Sequence, residues 1–172
     1  MTSAFFLPDA HCLSQGKYAT IAPNHPGKGK AVFDMKDFML GASATAKTVV
    51  NEGNTAKAMG SGNLQVFATP AMIALMEEAS TRCAAQFLDE GSETVGTMIS
   101  VKHMSATPVS MEVCAKATLT EVDGKRLVFD VVAEDEAGII GAGTHERFIV
   151  SGEKFLLRTQ GKLSAKEGNQ RR

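Results

Sequence analysis

The chain has 172 residues, 44% hydrophobic and 22% charged, with a formal net charge of −1, which is one domain's worth of core and no field to draw in nucleic acid or an anionic membrane. No apolar run approaches the roughly 20 residues a spanning helix needs, and Phe5, Phe6 and Leu7 have neither a basic segment before them nor a long apolar stretch after. Neither a membrane span nor a secretory signal is expected, and the protein is placed in the cytoplasm. Cys12, Cys83 and Cys114 are odd in number and lack metal-ligand spacing, so they read as reduced thiols and no metal is expected.

Residues 1–44 show no steady period. Pro8, Pro23 and Pro26, with Gly27 and Gly29, mark an N-terminal extension, inside which residues 33–40 form a short amphipathic helix ending at Gly41. Residues 45–58 are rich in β-branched and small side chains and read as a first strand, broken at Gly60, Ser61, Gly62 and Asn63. Next comes the one long helix. Thr69 is a favoured N-cap residue and Pro70 fits the first helical position, where its missing N–H costs nothing. Met72, Leu75, Met76, Ala79, Cys83 and Phe87 recur as one buried stripe, and Gly91 supplies the stop.

Four strands follow. Residues 94–104 set Val95, Thr97, Ile99, Val101 and His103 on one side. Residues 111–119 alternate Met111, Val113, Ala115, Ala117 and Leu119 against polar neighbours. Asp123 and Gly124 signal a type I′ hairpin, after which Leu127, Phe129, Val131 and Ala133 make the next inward face. A turn at Glu136, Ala137 and Gly138 leads to residues 139–150, which lack a clean polar face and are expected to be buried on both sides. Residues 161–172 are a basic, polar tail that frays. The order predicts an α+β domain over residues 45–160, one long helix packed across a five-stranded, mostly antiparallel sheet. A single helix covers one sheet face only, so a second copy of the chain is expected to cover the rest.

Little in the chain resembles reactive chemistry except Thr69, Glu77 and His103: a hydroxyl at the helix mouth, a carboxylate two turns along, and an imidazole on the next strand. Together they are the parts needed to cleave an ester or thioester. Each has a plainer reading, as a helix cap, a solvated carboxylate and a core histidine. Eight helical residues separate Thr69 from Glu77 by about 12 Å, so the three would converge on one acyl carbon from different sides. Arg147 is open to a phosphate or carboxylate of a ligand, or to Glu146.

The stretch from Val66 through Thr69, Pro70, Leu75 and Met76 to Glu77 resembles the helix motif of hotdog-fold acyl-CoA thioesterases, in particular the fluoroacetyl-CoA thioesterase-like group. So do Val95, Gly96 and Thr97 with Val101, Lys102 and His103, and the run Gly141, Ala142, Gly143, Thr144, His145, Glu146 and Arg147. The resemblance implies catalytic roles for Thr69, Glu77 and His103, a thioester-side glycine at Gly96 and an acyl-pocket arginine at Arg147. It also implies edge-to-edge pairing of two subunits, with the site at their interface and the pantetheine arm between them. The implied enzyme hydrolyses a small acyl-CoA to acid and CoA as a homodimer, or a tetramer, with no cofactor beyond the CoA of its substrate. His103 would serve as base and acid, Thr69 as nucleophile or water-orienting group, and Glu77 as activator or nucleophile. The family's lid phenylalanines are missing at residues 60–64. Phe67 is the only nearby aromatic and is grouped with the substrate-contacting residues, so a broader or different short-acyl specificity is expected in place of fluoroacetyl specificity. A non-catalytic acyl-CoA sensor on the same fold is the alternative.

Overall fold

A computed structural model describes residues 38–169, with side chains through residue 163. Its elements are β1 (Ser43–Val49), α1 (Thr69–Ala85), β2 (Ser92–His103), β3 (Glu112–Asp123), β4 (Arg126–Asp135), β5 (Gly138–Ser151) and α2 (Gly152–Asn169). The five strands form one sheet in the order β1-β3-β4-β5-β2, with every neighbouring pair antiparallel. Met72, Leu75, Met76, Ala79 and Cys83 of α1 bury against Ala46, Val113, Ala115, Ala117, Leu119, Phe129 and Val131 of the sheet. Each large apolar side chain so buried contributes about 1.5–3 kcal/mol. The small residues on β1 and β3 let the helix lie close to the strands it touches most.

Several expectations need correction. A second helix, α2, runs from the end of the expected domain, residues 152–160, into the expected tail, so the described residues hold two helices rather than one. Its sequence hid it, because Phe155, Leu156, Leu157 and Leu163 are all exposed and leave no buried stripe to read. The first strand ends at Val49 rather than running to residue 58. Side chains of Asn51 and Asn54 capture backbone groups there: Gly53 N–H donates to Asn51 Oδ1 at 2.9 Å, Asn51 N–H to Asn54 Oδ1 at 2.8 Å, and Asn54 Nδ2 to Val49 O at 3.1 Å. Of the short helix expected over residues 33–40, residues 33–37 lie outside the described residues, and residues 38–42 are not helical. The β3–β4 hairpin turns on Gly124 and Lys125, and only Gly124 has positive φ, the II′ pattern rather than I′.

β5 is not buried on both sides. Ile140, His145, Arg147 and Ile149 are buried, whereas Ile139 and Phe148 are exposed. On β2 the expected single face is also wrong. A bulge between Gly96 and Met98 shifts the register against β5 and reverses the pleat. Thr94 and Gly96 therefore share the inner face with Ile99, Val101 and His103, while Val95 turns away. Cys83 is a buried free thiol, whereas Cys114 is disulfide-bonded, contrary to the expectation of reduced thiols. No helix among the described residues is long and apolar enough to cross a membrane.

Among the described residues β2 lies at a sheet edge, paired with β5 alone, and the two pack so closely at Gly143 that an added methyl would strike the Ser100 carbonyl oxygen and come within 2.7 Å of Val101 Cα. Gly161, by contrast, has nothing within 4 Å of an added methyl. Gly143→Ala is expected to cost about 1–3 kcal/mol, whereas Gly161→Ala on α2 is expected to gain about 0.5–1 kcal/mol. Urea unfolding of both variants checks the pair.

Candidate active site

The start of α1 is pinned from outside the helix. Phe67 N–H donates to Thr107 O at 2.8 Å, and Ala68 N–H to Asn54 O at 3.0 Å. Phe67, 1% exposed, anchors the segment in the core. The N-cap is Ala68, in extended conformation and with no side-chain cap bond, so Thr69 is the first helical residue instead of the cap. Its hydroxyl is thus spared from backbone duty and lies 2.9 Å from His103 Nδ1. His103 ends β2 opposite Gly141, and its Nε2 is buried with no hydrogen-bond partner among the described residues. Thr69 and His103 line a cleft of about 280 Å³ with Phe67, Met104, Ser105 and Ala106. A second hollow of about 330 Å³, lined by Lys47, Asn54, Met59, Ala71 and Leu75, also has Phe67 in its wall.

Glu77 does not join Thr69 and His103. It faces the far end of β2: a methyl at Gly96 would sit 3.1 Å from Glu77 Oε1 and 3.1 Å from His145 Cε1. Beside them lies Arg147, 5% exposed. Its Nε donates to Thr94 Oγ1 at 2.8 Å, Nη2 to Thr94 O at 2.9 Å and Nη1 to His145 Nε2 at 3.2 Å. Glu146 is not its partner; that carboxylate pairs with Arg126 at 2.6 Å. His145 Nδ1 lies 2.8 Å from Met98 O. A carbonyl only accepts, so Nδ1 carries the proton and Nε2 is free to accept from Arg147. The imidazole is neutral. Burial pushes it below its ordinary value of 6.5, the bond to Met98 opposes that, and the Arg147 charge adds to it. Burial also lowers Arg147, against the pull of Glu77.

The six residues singled out in the sequence thus fall into two groups, Phe67, Thr69 and His103 at one end of β2 and Glu77, Gly96 and Arg147 at the other. His145 and Thr94 were missed. The alternation of His145 with Arg147 on one strand was the available signal. Burial pushes the Cys83 thiol up to about 11, far from a ready nucleophile. Among the described residues, no group of His, Cys, Asp and Glu is placed to hold a metal ion.

Comparison with known proteins finds relatives of the whole fold. A family model described as fluoroacetyl-CoA-specific thioesterase matches residues 50–153. The fluoroacetyl-CoA thioesterase of Streptantibioticus cattleyicolor is 43% identical over 101 residues, 59% of this chain and 73% of that protein. A solved structure of a fluoroacetyl-CoA thioesterase superposes with a TM-score of 0.68 at 36% identity, over 73% of this chain and 97% of the other. A hot-dog-like protein from Thermanaerovibrio acidaminovorans shares the fold, with a TM-score of 0.67 at 23% identity over 74% of this chain and 94% of its own.

Since Thr69 does not cap α1, Thr69→Ala is expected to change stability by within about 0.5 kcal/mol, where loss of a cap would cost about 1 kcal/mol; chemical denaturation distinguishes the two. The depressed folded-state pKa of His145 means the unfolded chain takes up the proton first. Its contribution to stability is present above pH 6.5, the unfolded value, and is lost as pH falls through the folded pKa. Urea midpoints between about pH 7 and pH 5 should therefore fall more for the wild type than for His145→Phe.

Proposed function

The chain belongs to the fluoroacetyl-CoA-specific thioesterase family, a thioester hydrolase, and from that premise we propose that it hydrolyses a short acyl-CoA to the free acid and CoA at a site completed by two protomers. The observation that carries the reading is the 2.9 Å contact between Thr69 Oγ1 and His103 Nδ1 at the wall of a cleft, made by a threonine with no structural duty at its helix start.

The separation of the two groups supports a dimer. His103 and Gly96 lie roughly 20 Å apart along β2, whose outer edge pairs with no strand of the described residues. A second copy pairing antiparallel along that edge, about an axis near Ile99 and Ser100, reverses the strand direction. The partner subunit's Gly96 and the partner subunit's Glu77 then come beside Thr69 and His103. The unpartnered Nε2 of His103 supports this arrangement. With Thr69 donating to Nδ1, Nε2 carries a proton that needs an acceptor, and leaving such a group buried and unmade costs about 1–3 kcal/mol. A carboxylate from the second protomer supplies it.

In this reading His103 takes the Thr69 hydroxyl proton as Oγ1 attacks the thioester carbonyl. The C–O bond forms, the C–S bond breaks, and the CoA thiolate leaves with the proton from His103. Water resolves the acyl-threonine by the same route. The partner subunit's Glu77 orients and supports the imidazole. Backbone N–H groups at the start of α1, or at Gly96, face the oxyanion. Residues 60–64 are exposed and carry no aromatic lid, which favours a short acyl group other than fluoroacetyl alone. The working state of the proposal is a cytoplasmic homodimer without a cofactor.

Free-thiol release from a panel of acyl-CoAs tests it, with wild type, Thr69→Ala, Glu77→Gln and a mixed dimer of the two variants. Each variant alone is expected to lose about 10²-fold or more. The mixed dimer should regain activity, because one of its two sites then has both groups intact. No recovery places the site within one chain, and tight ester binding without turnover by the wild type means a sensor.

A further inference from the structure

We infer that His145 is a positioning residue of the thioester site, a neutral clamp that keeps Arg147 from quenching Glu77; the inference rests on the thioesterase reading above. His145 is fully buried, and both of its ring nitrogens are engaged. Nδ1–H donates to Met98 O at 2.8 Å, the carbonyl on one flank of the β2 bulge. Nε2 accepts from Arg147 Nη1 at 3.2 Å. One ring therefore ties two things whose positions matter: the irregularity that turns Gly96 toward α1, and the guanidinium beside Glu77.

The choice of partner is what gives the clamp its effect. Arg147 is almost wholly buried, and Glu77 is the anion that feels its charge. The direct contacts of the guanidinium are nevertheless to neutral acceptors, Thr94 Oγ1, Thr94 O and His145 Nε2. No ion pair joins it to Glu77, although four other pairs form among the described residues. A guanidinium freed at Nη1 would be drawn to the carboxylate, since opposite charges attract more strongly in a buried site than a charge and a neutral acceptor do. Glu77 would then be spent on Arg147 and displaced from Gly96. A neutral acceptor of fixed tautomer prevents that while keeping the positive charge close by. His145 touches neither the Thr69–His103 pair nor their cleft, so it acts on the reaction through Arg147, Gly96 and Glu77.

Three substitutions separate the two arms of the clamp. His145→Phe keeps the volume and removes both bonds. His145→Gln retains an acceptor at the Nε2 position for Arg147, and His145→Asn retains a donor at the Nδ1 position for Met98 O. The phenylalanine variant is expected to lose roughly tenfold to a hundredfold in kcat, with the inhibition constant for free CoA unchanged. The glutamine variant should recover most of that loss and the asparagine variant little. Should the phenylalanine variant fail to fold, the contrast between glutamine and asparagine decides alone. Wild-type kcat in His145→Phe or His145→Asn, equal losses in all three variants, or a loss accompanied by weaker CoA inhibition overturns the clamp. Nitrogen-15 NMR of the ring in the wild-type protein needs no turnover: an Nδ1-protonated, neutral His145 supports the clamp and an Nε2-protonated ring overturns it. A wild type that hydrolyses no ester while showing that tautomer defeats the thioesterase reading and leaves the clamp geometry standing.

Discussion

The ladder between β2 and β5, with its single irregularity, governs the rest of the site. β2 is a sheet edge, so β5 alone sets its register. Below the bulge the inner face carries Thr94 and Gly96; above it, Ile99, Val101 and His103. An unbroken strand would have turned either His103 or Gly96 outward, because side chains alternate strictly along a pleat. One extra residue lets both ends of the same strand serve the same helix. Gly143 and Gly141 of β5 permit this by letting the strands and Met72 approach where a side chain would collide.

Charge is arranged on two levels. On the outside, Arg126 bridges Glu121 and Glu146 in a half-exposed network that water and salt screen. On the inside, Arg147 gives up bulk solvation and receives neutral oxygen and nitrogen acceptors. A buried cation held this way is expensive in folding terms, and such expense is commonly found where a protein must present charge to a ligand. Adjacent positions on one strand, Glu146 and Arg147, thus belong to separate electrostatic environments.

Much of the fold was legible in the sequence because it rests on periodicity. The stripe from Met72 to Cys83 identified α1, and the alternation through β3 and β4 identified the inward residues. What escaped lacks a periodic signature. The bulge is a register property of two strands and leaves only Gly96 as a local trace. The end of β1 is set by amide side chains of Asn51 and Asn54 seizing backbone groups. The described large apolar side chains of α2 are all exposed and gave no buried side to betray it. Thr69 has the composition of a cap, yet the cap is the alanine before it, since Thr107 and Asn54 already hold that stretch of backbone. The pairing of Arg147 with Glu146 could have been rejected from the pleat alone. The division of the site between the ends of β2 could not, because it depends on where Glu77 emerges over the sheet.

Phe67 lines both hollows at the start of α1. It is held in place by burial in the core and by its backbone bond to Thr107. The shape of both hollows therefore depends on one buried aromatic group rather than on a whole loop. A smaller side chain at this single position would enlarge the space at the start of α1 while leaving Thr69 and His103 where they are.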